Sequence, residues 1–263
     1  MTKPRSQQII PERTQFYHCM SRCVRQSYLC GDNPATQQNF DHRKQWLVDR
    51  VKQLAQVFTI DICAFAVMSN HYHLVLHLNQ PLAQQLTDHA VIERWCSLYK
   101  NPLGMRYLSG DALKTSEKDA LSDLCQKWRG YLADISWFMR SLNEYIARKA
   151  NKEEDAKGRF WEGRFKSQAL LDEGGLLACM AYVDLNPLRA GLAKTPEDSE
   201  FVSFTERLAT YQAQRKQKVA THATQEGLMP FQLPIQQAKA RKQHQLPKEA
   251  VSYTHLTLPT NSN

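Results

Sequence analysis

An α+β chain built on a ferredoxin-like split βαβ core with an antiparallel sheet is what this sequence predicts. Three observations carry that expectation. Four short runs have the composition or alternation of strands. Longer stretches between them place apolar residues at helical spacing. Their order is β-α-β-β-α-β, with one more helix behind. At 263 residues, 42% of them hydrophobic and 10% aromatic, the chain has enough apolar material for a sizeable core.

The elements follow in order. Residues 14–24 ("TQFYHCMSRCV") alternate well enough for a first strand. Between Asp41 and Phe58 the apolar positions Trp46, Leu47, Val51, Leu54 and Val57 have helical spacing, behind an aspartate able to cap. Residues 59–66 and 71–78 make two strands, joined hairpin-like through 67–70. Another helix begins at Leu82 and reaches Leu98. Residues 99–129 hold Asn101-Pro-Leu-Gly104, Ser109-Gly110 and mixed charges, and read as a helical insertion. A helix resumes over 131–150, with apolar positions Ile135, Phe138, Met139, Leu142, Tyr145 and Ile146. Residues 165–171 form a short strand. The last core helix covers 173–186 and stops at Pro187, because a residue before proline avoids the helical region. Gly174 and Gly175 weaken its start by about 1 kcal/mol each relative to alanine.

The domain expected to carry function is residues 1–211. Beyond it, 212–249 is a basic extension holding Arg215, Lys216, Lys218, Lys239, Arg241 and Lys242. Residues 250–263 ("VSYTHLTLPT…") resemble the translated read-through of a sequencing-library adapter, so His255 is not counted as a ligand. The formal net charge of +8 points to an acidic partner, of which nucleic acid is the commonest; a solvated basic surface is the plain alternative. No apolar run has membrane-spanning length, and no hydrophobic signal segment follows Met1, so a cytoplasmic protein without a membrane partner is expected. Seven cysteines include no CxxC pair, which argues against a zinc ribbon; Cys19, Cys63 and Cys179 read as small core residues.

Within the third strand, His71-Tyr72-His73 sets two imidazoles on one face and Tyr72 on the other. Such a pair is either half of a metal site or a solvated strand face. With nine histidines in the chain, the spacing alone is weak. Context strengthens it: a tyrosine, Tyr182, stands on a later helix with Asn186 four residues on.

Taken with Phe16-Tyr-His-Cys-Met-Ser-Arg22, Gly158-Arg-Phe-Trp-Glu-Gly-Arg-Phe-Lys-Ser167 and Ala181-Tyr-Val-Asp-Leu-Asn-Pro-Leu-Arg-Ala-Gly191, this strand resembles the IS200-like, REP-associated tyrosine transposases of the HUH single-strand endonucleases. The resemblance spans about residues 12–206, with the 99–129 region longer than the family's core. It implies that His71, His73 and Asn186 hold a divalent metal, Mg²⁺ or Mn²⁺, and that Tyr182 is the nucleophile. It implies hairpin-bearing or single-stranded DNA as partner, and a monomer or homodimer. Imidazole also suits Zn²⁺, so the metal's identity comes from the family rather than the ligands. Plainer roles stand beside these: a core tyrosine at 182, and a helix cap at Asn186. Tyr145, on another helix beside Arg148, is the rival nucleophile, but its one-turn neighbour Lys149 cannot ligate a metal when protonated.

Lys157, Arg159, Arg164 and Lys166 interleave with Phe160, Trp161 and Phe165. Cations for phosphates beside aromatics for bases would form a single-strand platform; the alternative is core aromatics with a solvated cationic rim. Arg189 follows the tyrosine helix and is a candidate phosphate contact. The function expected is a transposase: a metal-dependent single-stranded DNA endonuclease and strand transferase working through a 5′-phosphotyrosine. A non-cleaving DNA- or RNA-binding protein on the same fold is the runner-up, and a phosphodiesterase using water the third reading.

Overall fold

The computed structural model describes residues 4–24, 29–33, 37–217 and Leu228. A short α1 (Arg5–Gln8) leads into β1 (Phe16–Arg22), and a two-stranded ribbon, β2 (Asp32–Asn33) with β3 (Gln38–Asn39), precedes α2 (His42–Val57). Next come β4 (Ile60–Val67) and β5 (His71–Leu78), then four helices: α3 (Gln80–Gln85), α4 (Asp88–Leu98), α5 (Pro102–Leu108) and α6 (Thr115–Leu132). The chain continues through α7 (Ile135–Glu153), β6 (Lys166–Leu170), α8 (Glu173–Asp184), α9 (Asn186–Arg189) and α10 (Ser203–Gln217).

The main sheet has the order β4-β5-β1-β6, every pair antiparallel. Two split βαβ units interlock here. β1 and β4 run parallel with β5 between them; β5 and β6 run parallel with β1 between them. This is the ferredoxin-like arrangement expected from the order of elements.

The two faces are covered differently. Tyr17, Cys19, Tyr72, Leu74, Leu76 and Leu78 point into the larger core, against Leu47, Val51 and Leu54 of α2 and Phe138, Leu142 and Ile146 of α7. α6 adds Leu121, Cys125, Trp128 and Leu132 to the same core, so the insertion is a structural part of the domain. On the opposite face α8 lays Cys179, Met180 and Val183 over Ala64, Ala66, Val75 and Leu170. The small alanines of β4 let this helix lie close to the sheet.

Several boundaries differ from expectation for identifiable reasons. The helix expected from Leu82 is two helices, because Thr87 caps α4 by accepting from the Ala90 amide. Asp41 occupies the cap position of α2 but makes no capping bond, pairing with Lys44 at 2.6 Å instead. The last core helix ends at Asp184, and Asn186-Pro187 opens α9 rather than stopping α8, since proline is tolerated in a first turn. The glycine-weakened start of α8 is offset by Asp172, whose carboxylate accepts from the Gly175 amide at 2.7 Å. A Cβ at Gly174 would come within 3.3 Å of that carboxylate, so the glycines give the cap room. All seven cysteines are buried and none forms a disulfide, the three expected in the core included. The basic extension is helical to Gln217 in α10, and Leu228 bridges to Ile62; its remainder and residues 250–263 lie outside the described residues. No helix among the described residues is long and apolar enough to cross a membrane.

Candidate functional site

The site lies on the α8 face of the sheet. Strand alternation turns His71, His73, Val75 and His77 of β5 to this face, opposite Tyr72 and Leu74. On β1 the same face carries Phe16, His18, Met20 and Arg22. Met20 pairs with His73 and Arg22 with His71. The β6 residues there are Lys166, Gln168 and Leu170, paired with Met20, His18 and Phe16.

His71 and His73 are 8% and 2% exposed, which excludes the solvated-strand reading. Their rings stand edge to face with centroids 4.9 Å apart. His71 Nδ1 lies 2.7 Å from Asn70 Oδ1, which accepts its proton and leaves the Nε2 lone pair outward. His73 Nδ1 lies 2.9 Å from His18 Nε2, and the buried Nε2 of His73 has no hydrogen-bond partner. Burial pushes His18 and His71 down to about 4 and His73 well below its ordinary value, with the Arg22 charge adding to both β5 shifts. All three rings are therefore neutral near pH 7, the form that ligates metals.

His77, on the same face, is different. Its Nδ1 meets Asp61 at 2.8 Å, its Nε2 meets Gln15 at 3.2 Å, and Phe16 stacks on its ring. A fully engaged histidine is structural.

Tyr182 projects from α8 toward the imidazoles, its ring edge-on to His73 at 5.9 Å and to His18 at 6.3 Å between centroids. Arg189 of α9 lies over the Tyr182 ring at 5.0 Å. Two residues past the tyrosine, Asp184 accepts from the Phe204 amide at 3.0 Å, from Ser203 and from Arg207, tying α8 to α10. Burial raises its carboxyl despite these partners, so Asp184 is an anchor for the helix. Tyr145 is on α7, behind the other face, with Arg50 over its ring at 4.6 Å. Tyr72 donates to Asn143 at 2.7 Å on that same far side. Of the three tyrosines, Tyr182 alone meets the histidines.

Asn186 stands at the start of α9 and is half-buried. Among the described residues no group of three His, Cys, Asp or Glu side chains is set to hold a metal. The fit for a divalent ion thus rests on two neutral imidazoles, one with a buried unpartnered nitrogen, and on an amide or water to complete the shell.

The cationic rim is present and the stacking platform is not. Lys157, Arg159, Arg164 and Lys166 are exposed. Trp161, expected as a stacking surface, is 8% exposed; its indole N–H donates to the Asn143 carbonyl at 2.8 Å, and its ring packs edge-on with Tyr72 and Phe160. Phe160 and Phe165 are buried with it. The aromatics anchor the segment to the core, and the cations stay outside. Beside the histidines, Met20, Arg22, Glu162, Gly163, Arg164 and Lys166 line a cleft of about 100 Å³. Arg22 was missed in the sequence, as was His18. Both sit at alternate positions of the first predicted strand, a signal that becomes legible only once the register is known.

No protein-family model matches the chain, and no curated protein matches it. A solved structure of a REP-associated tyrosine transposase bound to a REP hairpin is similar over 88% of this chain and 100% of its own, at 14% identity and a TM-score of 0.47. With a likeness that faint, strand order and register are what define the fold.

Proposed function

We propose that the chain is a metal-dependent single-stranded DNA endonuclease and strand transferase of the transposase type, acting on hairpin-bearing DNA through a 5′-phosphotyrosine at Tyr182. The observation that carries this reading is the Tyr182 ring set against His73 and His18 and capped by Arg189. His71 and His73 would hold the ion, with Asn186 as third ligand. A bound Mg²⁺ or Mn²⁺ supplies Lewis-acid polarisation of the scissile phosphate.

The chain's own groups do the rest. Arg22, Arg164 and Lys166, lining the adjacent cleft, give the phosphate backbone a cationic seat. Arg189, lying over the Tyr182 ring, sets a cation beside the attacking oxygen, where it can pair with a phosphate oxygen. The Tyr182 oxygen bonds to phosphorus, the bond to the 3′ oxygen breaks, and the phenolic proton is balanced by the new 3′-hydroxyl. The phosphodiester energy is kept in the phosphotyrosine, so resealing or transfer needs no nucleotide cofactor. One tyrosine allows one covalent link at a time.

With Mg²⁺ or Mn²⁺, the purified protein is expected to form a covalent adduct with a hairpin-bearing oligonucleotide, seen by denaturing electrophoresis. Tyr182→Phe is expected to abolish the adduct while leaving oligonucleotide binding and folding intact. An adduct that survives the change overturns the assignment. Binding without cutting under any divalent ion would instead favour a non-cleaving nucleic-acid binder.

A further inference from the structure

We propose that His18 is a positioning residue for this site: it accepts the Nδ1 proton of His73, thereby holding the His73 Nε2 lone pair free for a metal, and packs against Tyr182. The inference rests on the metal-site reading above and goes beyond it, since neither the spacing of the histidines nor the resemblance assigns His18 a role.

The geometry leaves few choices. His18 and His73 are diagonal neighbours on paired strands, His18 lying opposite Val75 and His73 opposite Met20. Diagonal residues are within reach of each other's rings. The two rings stack, tilted by 25° with centroids 5.1 Å apart, and their nitrogens meet at 2.9 Å. Two ring nitrogens 2.9 Å apart must share one proton, so one ring donates and the other accepts. If His18 donated through Nε2, the His73 proton would sit on its own Nε2, a buried donor without an acceptor. If His73 donates through Nδ1, its buried Nε2 is a lone pair aimed away from β1.

The second arrangement makes the two β5 histidines alike. His71 is held through Nδ1 by Asn70, and His73 through Nδ1 by His18, so both present Nε2 lone pairs. A metal-ligating histidine ordinarily has its other nitrogen tied in this way, which fixes ring orientation and raises basicity. Here an imidazole fills the place more often taken by a carboxylate or carbonyl. A neutral partner suits the site, because it adds no negative charge where a phosphodiester must bind. The same His18 ring meets the Tyr182 edge at 6.3 Å. One side chain therefore touches both a candidate ligand and the candidate nucleophile.

The test has a direct and a functional arm. Long-range ¹H–¹⁵N spectra of the metal-free protein report the tautomer of His73: Nδ1–H is expected, and Nε2–H overturns the proposal whatever the metal does. Mn²⁺ affinity is then measured for the native chain, His73→Ala, His18→Phe and His18→Gln. Phenylalanine keeps the ring and removes the acceptor, and is expected to weaken Mn²⁺ binding about 10–100-fold. Glutamine restores an acceptor and is expected to recover most of that loss. Equal unfolding midpoints of the two metal-free variants separate this from a packing effect. Binding lost in His73→Ala but unchanged in His18→Phe overturns the role of His18 and leaves the metal site standing. No Mn²⁺ binding by the native chain overturns both.

Discussion

The two faces of β5 belong to one strand, are almost equally buried, and do different things. On the α2 and α7 side, the one polar group is fully used: Tyr72 donates to Asn143, and Asn143 in turn donates to Ser21 at 2.9 Å. On the α8 side, His73 keeps a buried nitrogen with no partner. A satisfied buried network stabilises and specifies a fold, whereas an orphaned buried group costs free energy unless something binds it. The contrast separates a face whose polar group is fully satisfied from one that leaves a buried nitrogen without a partner. It also separates histidines on a single face, because His77 is engaged at both nitrogens and His73 at one.

Substitution on each face tests that division most sharply. Leu74→Ala, in the fully buried aliphatic row, is expected to cost about 2–5 kcal/mol in chemical denaturation. His73→Ala removes the unpartnered nitrogen along with the ring, and half-buried His18 can turn to water, so its cost is expected to be smaller. It should nonetheless eliminate metal binding, which Leu74→Ala should not. A larger loss for His73→Ala would mean that the α8 face is structural after all.

Acid provides the next test. His18 and His71 are pushed down to about 4 by burial, against an ordinary value near 6.5 in the unfolded chain. The unfolded state therefore takes up protons first, and stability falls as pH drops from about 6.5 toward 4. For His71 the loss is on the order of 3 kcal/mol, read from unfolding free energies across that window. Replacing His71 with Leu should flatten the acid limb; an unchanged limb would assign it to other groups.

A smaller effect is expected from Tyr72→Phe. It strands the Asn143 amide oxygen in the core, at about 1–3 kcal/mol, with no change in adduct formation at Tyr182. Smaller still, Arg164→Ala and Lys166→Ala should each lower the salt dependence of DNA binding by about one unit of slope, with folding untouched. A change in unfolding midpoint for either would show that the rim is part of the scaffold.

Much of the fold was legible because local period carries it. The alternation of β1 and β5, the helical spacing behind Asp41, and the β-α-β-β-α-β order led to the observed topology. Legibility was poorer where two local signals compete. A run from Leu82 to Leu98 looks like one helix until Thr87 is seen to cap. The cations and aromatics of 157–166 support a platform or a core equally well, and Tyr72 and the Asn143 carbonyl, both outside that stretch, decide where Trp161 points.

By itself the sequence determined that two histidines share a strand face, that a tyrosine and an asparagine follow one another at a helix end, and that cations gather before the last strand. These are matters of spacing, which short-range sterics enforce. Only the tertiary structure decided that Tyr182 rather than Tyr145 lies beside the imidazoles, that Trp161 is buried, and that His18, 55 residues from His73, is its hydrogen-bond partner. Those depend on antiparallel register and on which face α8 covers. Such choices are made by burying apolar surface across the whole domain, and no local stretch of chain encodes them alone.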